Sequence, residues 1–363
     1  MAPSFSVHSL PRLTSCAAGV IVSGSKVNED VMKPNLLRSR VGAGIAAWLL
    51  AAMAPLMPGI GAAQDYPSKP IRLILPTIPG SAFELFGRLV ATKMGEAMGQ
   101  PFVAENRAGA NGMIGAEAVA RATPDGHTLL WATPSQVVTS VFLSKTLPID
   151  PRKDLLPISI AAEPVTVLLL NPKVPVSNVK EFVDFAKKNP GKWSYGTPGI
   201  GSFFHFTGEL IKQSAGIDIV HVPYKGPPQA LNDVFAGLIE MTIVTLGTAR
   251  PLERAGKIKI LALLEPRRYA GAPDLPTFTE TVPGFEKPGS WYALFGPAAL
   301  PRPVVARLHK EVAAALKTPE ARNWLDTNLH LGVGNSPEEF AAIYKQSFEV
   351  FGRAAKVAGV KPE

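Results

Sequence analysis

The sequence predicts an α/β chain of two domains, each a mainly parallel sheet flanked by helices. Three observations carry this. From Tyr66 onward, short β-rich runs alternate with helical stretches, the pattern of parallel βαβ units. Roughly ten strands fall in the chain beyond that point, more than one small sheet accommodates. With 363 residues and 46% hydrophobic content, there is apolar material for two cores, and a disordered chain is excluded.

The elements follow in order. Ile71–Leu75 reads as a strand ended by Pro76, and Phe86, Leu89, Val90 and Ala97 then recur at helical spacing. Residues 101–105 read as a strand, 112–121 as a helix, 127–132 as a buried strand and 135–143 as helical. A similar series follows: strand 165–170, helix Val179–Lys188 closed by Asn189-Pro190-Gly191, strand 193–195, helix Phe203–Ala215 and strand 217–222. Helix 229–238 and strands Met241–Thr245 and 258–264 come next. After a Pro-rich stretch, 291–295 is a strand. Val304, Leu308, Val312 and Leu316 mark one helix face, and Pro337–Val357 is the last helix. No repeat period supports a solenoid or propeller.

The first 63 residues read differently. Residues 41–60 are apolar and uncharged, preceded by Lys33, Arg38 and Arg40 and followed by Gly61-Ala62-Ala63. A basic segment, an apolar run and a small-residue end make a secretory signal peptide, with a start at Met32 and cleavage after Ala63. An uncleaved anchor is the alternative; Pro55 and Pro58 argue against it. Residues 1–31 carry no motif beyond Leu13-Thr14-Ser15-Cys16, a lipobox-like string without an apolar segment before it, so 1–63 is read as a dispensable extension plus signal peptide.

Charge and cysteine content exclude several functions. The net charge is +8; beyond position 63 it is +5, from 32 basic and 27 acidic residues in no basic stripe. Nucleic-acid binding is therefore not expected. Cys16 is the single cysteine, which excludes an intrachain disulfide and cysteine-based metal or redox sites. His205 and His221 fall on different elements with no metal-binding spacing, and there is no hydrolase elbow. No metal, cofactor or catalytic residue is expected.

Chemistry is sought in loops that follow strands, where ligands bind in α/β sheets. The first loop, 76–84, contains Pro79, Gly80, Ser81, Phe83 and Glu84. Its helix-start N–H groups suit a carboxylate, or Ser81-x-x-Glu84 satisfies them as a capping box; both readings stay open. The second, 105–112, offers Arg107 to an anion or ties it to Glu105. The third, 195–205, is a glycine-rich turn through Thr197, Gly199, Gly201 and Ser202 into a helix start at Phe203, Phe204 and His205. It is neither a dinucleotide fingerprint nor a P-loop, but it suits a carboxylate. The fourth carries Tyr224 and Lys225.

In this order, YPSKPIRLILP, ENRAGANGMIGAEAVARATPDGHTLL, YGTPGIGSFFH, IVHVPYKG and SPEEFAA resemble the Bug-type periplasmic solute-binding proteins, receptors of tripartite tricarboxylate transporters. The resemblance runs from about Tyr66 to the C-terminus. It implies a two-lobed periplasmic-binding-protein type II fold, a Venus flytrap. Residues 64–165 and 289–363 would form one lobe and 166–288 the other, with crossings near 161–170 and 289–297. It implies a periplasmic, non-catalytic, monomeric receptor that closes on a small carboxylate and delivers it to a membrane permease. A sensing role feeding a two-component system and a diverged, non-binding homologue are the alternatives.

The ligand residues it implies are Pro79, Gly80, Ser81, Phe83, Glu84, Thr133, Ser135, Thr197, Gly199, Gly201, Ser202, Phe204, His205, Tyr224 and Lys225. The chain departs from the family pattern at Ser81 (usually glycine), Glu84 (aspartate), Ser140 (asparagine), Val244 (aspartate) and Phe204 (a small polar residue). Phe83, Phe203 and Phe204 would make the cleft edge aromatic, or they turn into the lobe cores. The first case favours an aromatic or hydrophobic carboxylate over citrate, whose three charges are costly to bury with few basic groups.

Overall fold

The computed structural model describes residues 66–362, so the expected leader, the start at Met32, the cleavage after Ala63 and Cys16 lie outside the described residues. The chain starts with β1 (Ile71–Leu75), α1 (Ala82–Met98), β2 (Phe102–Asn106), a 3-10 turn, α2 (Met113–Ala120) and β3 (Thr128–Ala132). Three single-turn helices follow, α3 (Pro134–Val137), α4 (Ser140–Leu143) and α5 (Pro151–Asp154), then the long β4 (Leu155–Pro164). The second sheet is built by β5 (Thr166–Leu170), α6 (Val179–Lys188), β6 (Ser194–Thr197), α7 (Phe203–Ala215) and β7 (Val220–Pro223). It continues through α8 (Pro227–Ala236), β8 (Met241–Thr245), α9 (Leu246–Arg254) and β9 (Lys259–Leu263). The chain returns to the first sheet as β10 (Tyr292–Pro297), α10 (Arg302–Ala315), α11 (Pro319–Asn328), β11 (His330–Gly332) and α12 (Pro337–Val357).

Strand order is β11-β4-β10-β3-β1-β2 in the six-stranded sheet and β7-β6-β8-β5-β9 in the five-stranded one. Both sheets are mixed. β1 runs parallel to β2 and β3, and β6 parallel to β7 and β8, as βαβ units require. The strands beside the crossings run the other way: β10 is antiparallel to β3 and β4, and β5 to β8 and β9. A strand that crosses directly between sheets needs no crossover helix, so the alternation in sequence carries no trace of its direction. The sequence pattern also misses β4, whose run LLPISIAAEP holds two prolines, α9, which contains Pro251, and α5, α11 and β11. The expected helix 135–143 is two separate turns. Other limits move by a few residues.

The expected separate cores are in fact continuous. Phe351 of α12 meets Phe203 (6.4 Å) and Phe206 (6.0 Å) of α7, joining the C-terminal helix to a helix of the segment that builds the five-stranded sheet. α9 and α11 also approach where only glycine fits: a Cβ on Gly247 of α9 would lie 2.4 Å from the carbonyl oxygen of Asn328 at the end of α11.

Candidate functional site

A cavity of about 290 Å³ lies where the two crossings pass between the sheets. Its lining comes from six places: Thr77, Ser81 and Phe83; Thr133, Pro134, Ser135 and Gln136; Pro164 and Thr166; Phe203 and Phe204; Thr245; and Ser290, Trp291 and Tyr292. None of these side chains is charged. Helix starts surround the space. Ser81 is the N-cap of α1, Thr133 of α3 and Thr245 of α9, while Phe203 and Phe204 open α7 behind its cap Ser202.

In the first loop Ser81 caps α1 and also lines the cavity. Its Oγ accepts from the Glu84 N–H at 3.2 Å, which leaves its own proton free. Glu84 is buried and turned away from the cavity. Its carboxylate accepts from the Gly80 N–H (3.3 Å) and pairs with Arg88, and that Arg88 bond holds its pKa below the usual carboxylate range. Arg88 also donates to Asn106 Oδ1 at 2.6 Å, and Asn106 Nδ2 donates to the Thr77 carbonyl at 3.0 Å, so the loop is anchored to β2. Glu84 and Gly80 thus act within the loop, and exposed Pro79 lies outside the cavity lining. Among the described residues, the N–H groups of Ala82 and Phe83 find no acceptor, as expected for a first helical turn.

Thr133 Oγ donates to Gln136 Oε1 (2.9 Å), and Gln136 Nε2 donates to the Pro76 carbonyl (3.3 Å), tying the third strand's loop to the first. Ser135 has no hydroxyl partner among the described residues and faces the cavity. Arg107 pairs with Glu105 at 2.6 Å, the network reading of the second loop.

In the third loop the phenylalanines line the cavity and also pack inward. Phe203 is 7% exposed, and Phe204 meets it edge-on at 5.3 Å. Phe83 does the same from the other side, edge-on to Tyr292 at 5.2 Å. The rest of the loop shapes the turn. Ser202 Oγ caps the His205 N–H (3.2 Å), and His205 Nδ1 accepts from the Gly201 N–H (3.1 Å). Gly201 has φ +76 and packs so closely on Leu143 that a Cβ would come within 2.3 Å. Thr197 Oγ bonds His221 Nε2 (2.6 Å) and touches Gly199, and His221 stacks on His205 with ring centroids 4.0 Å apart. Burial lowers both histidines, His221 to about 4. Thr197, Gly199, Gly201, Ser202 and His205 therefore stand behind the cavity wall.

Tyr224 and Lys225 do not line it either. The Tyr224 hydroxyl donates to Asp233 Oδ2 (2.6 Å), with burial raising its pKa to about 12, and Lys225 is exposed. Val244 packs in the core on the five-stranded sheet, and Ser140 Oγ donates to the Gln136 carbonyl at 3.2 Å. Of the residues singled out, the cavity brings together Ser81, Phe83, Thr133, Ser135, Phe203 and Phe204.

Sequence reasoning missed Thr166, Thr245, Ser290, Trp291 and Tyr292. Thr245 ends β8 and was open to the strand-end rule. Thr166 and Tyr292 begin β5 and β10, and antiparallel pairing (Thr166 opposite Thr245) brings those starts to the same sheet edge as the ends of their neighbours.

This arrangement suits a small anion held by N–H groups and hydroxyls, with aromatic faces around the rest of it. Residues 86–343 match the model of the tripartite tricarboxylate transporter family receptor. A protein from the tcbD–tcbE intergenic region of Pseudomonas sp. is 32% identical over 87% of this chain and 93% of its own length. BugT of Bordetella pertussis is 30% identical, over 70% of this chain and 79% of its own. Among solved structures, an R. palustris protein with adipate is 32% identical with a TM-score of 0.71, covering 82% of this chain and all (100%) of its own. MatC of Rhodopseudomonas palustris, with bound malate, is 28% identical with a TM-score of 0.66, covering 81% and 100%. The chain therefore belongs to the tripartite tricarboxylate transporter receptor family.

Proposed function

We infer that this protein is an exported, periplasmic receptor that captures a small carboxylate of aromatic or otherwise hydrophobic character and delivers it to a tripartite tricarboxylate-type permease. The observation that carries this reading is the lining itself: several aromatic side chains, free helix-start N–H groups and no charged side chain. A carboxylate held by N–H dipoles and hydroxyls needs no cation, whereas a trianion buried there would lack compensation. The adipate and malate in the related structures support a carboxylate as the ligand class.

Residues 64–165 with 289–363, and 166–288, are the two lobes of this receptor, a division that the sheet memberships support. The receptor works as a monomer. Binding favours the closed arrangement by the ligand's differential affinity for it. Thr197, Gly199, Gly201, Ser202 and His205 hold the α7 turn in place behind the ligand, and Tyr224 and Lys225 form the outer rim.

Phe204→Ser tests the aromatic character. Calorimetric titration with benzoate and adipate is expected to show benzoate affinity falling about three- to tenfold, with adipate changed less. An unchanged ratio of the two would contradict the aromatic reading.

A further inference from the structure

The hydroxyls beside the crossings have their protons already directed. Thr166 Oγ donates to Glu265 Oε1 at 3.1 Å. Ser290 Oγ donates to the Pro164 carbonyl at 3.2 Å and accepts from Lys287 Nζ at 3.1 Å. A carboxylate or carbonyl only accepts and an ammonium only donates, so these directions follow from the partners. Tyr292 obeys the same logic. His330 Nδ1 lies 2.7 Å from the Asn328 carbonyl and therefore carries the ring proton. Burial keeps that imidazole neutral, so its Nε2 accepts, and the Tyr292 hydroxyl donates to it across 3.4 Å. Thr245, opposite Thr166, bonds Thr248 across 3.0 Å, and either oxygen can donate.

Behind these hydroxyls, Glu265 and Lys287 pair at 2.6 Å with their side chains 10% and 9% exposed. Glu163 adds a second carboxyl near the same ammonium, its pKa raised by burial. No positive charge is left over here for an anion. The loops after β1 and β3 differ: Ser81 Oγ keeps its proton, and Ser135 has no hydroxyl partner among the described residues.

We propose that the cavity is polarised, taking a monocarboxylate at Ser81 and Ser135 whose far end is a hydrogen-bond donor, a hydroxyl, received by the lone pairs of Thr166, Ser290 and Tyr292. The proposal rests on the carboxylate reading above and narrows it. A second carboxylate at the far end would meet oxygen lone pairs beside the Glu265 and Glu163 carboxyls, whose Lys287 counter-charge is already engaged, and would be costly to desolvate there. Thr166, Ser290 and Tyr292 are then the specificity-determining residues, and Glu265 and Lys287 position two of them.

Two ligand series that differ only at the far end test this: hexanoate, 6-hydroxyhexanoate and adipate; and benzoate, 4-hydroxybenzoate and terephthalate. Each is titrated calorimetrically into the purified protein after unfolding and refolding to remove bound small molecules. In the series that fits, the hydroxy acid is expected to bind about tenfold tighter than the plain acid, and the diacid more weakly than the hydroxy acid. Ser290→Ala should shrink the hydroxy acid's advantage over the plain acid several-fold; Thr166→Val is the second variant, and the wild-type series decides the matter if neither folds. A diacid that binds as tightly as the hydroxy acid, or a hydroxy acid no tighter than the plain acid, overturns the polarised cavity while the carboxylate reading stands. Failure of all six acids to bind overturns the carboxylate reading, and the polarised cavity with it.

Discussion

Glu84 shows how a loop motif resolves once neighbours in space are known. The string Ser81-x-x-Glu84 is legible as a helix start, and the cap is there, at 3.2 Å. The carboxylate's Arg88 partner is an i,i+4 neighbour within α1 and is legible once the helix is, whereas Asn106, which holds Arg88 from β2, is not. The carboxylate's folded pKa lies below the ordinary 4.5, chiefly through the Arg88 bond. The sign follows: the stabilisation is complete above pH 4.5 and is lost as pH falls through the lowered folded value. Urea midpoints for wild type and Glu84→Gln are expected to differ at neutral pH and to converge in acid. Midpoints that stay equally far apart in acid would contradict this. The phenylalanines were harder to place from sequence, because burial and cavity lining are not exclusive: Phe83 and Phe203 are both 7% exposed and still form its wall.

At the level of elements, parallel βαβ units were legible because hydrophobic periodicity switches between strand and helix along the chain. The crossing strands were not, and they supply Thr166 and Tyr292, so about a third of the cavity lining lay outside a search of loops that follow strands. The β7–α7 junction gives a second pH signature. His221 is shifted down to about 4 by burial, with its neighbour His205 and Lys212 adding to the effect. A histidine kept neutral in the fold stabilises fully above its ordinary 6.5, and that contribution is lost as pH falls from 6.5 toward 4. Between pH 6.5 and about 5, above the carboxylate range, the unfolding midpoint of wild type should fall, and less steeply in His221→Gln. Equal slopes would remove His221 from the account.

For the whole molecule, the two-lobe architecture could be anticipated, but the continuous core could not, since Phe351 meets Phe203 and Phe206 from the far end of the chain. Charge also acts at this scale. The protein carries a net +8, yet no charged side chain lines the cavity. A carboxylate held by N–H groups and hydroxyls away from ions should feel salt weakly. Its dissociation constant is expected to change less than about threefold between about 0.05 and 0.5 M sodium chloride, by calorimetry. A tenfold weakening would point to an ion pair instead.

The central claim is that the uncharged cavity between the lobes binds a carboxylate. The most direct measurement is a thermal-shift screen of the purified protein, stripped by unfolding and refolding, against di- and tricarboxylates, amino acids and aromatic acids. A ligand at 100 times its dissociation constant stabilises by about 2.7 kcal/mol, a rise of a few degrees for a chain of this size. The account predicts that rise for hydrophobic or aromatic carboxylates and little or none for citrate. A flat response across every carboxylate, or a rise for citrate alone, would contradict it.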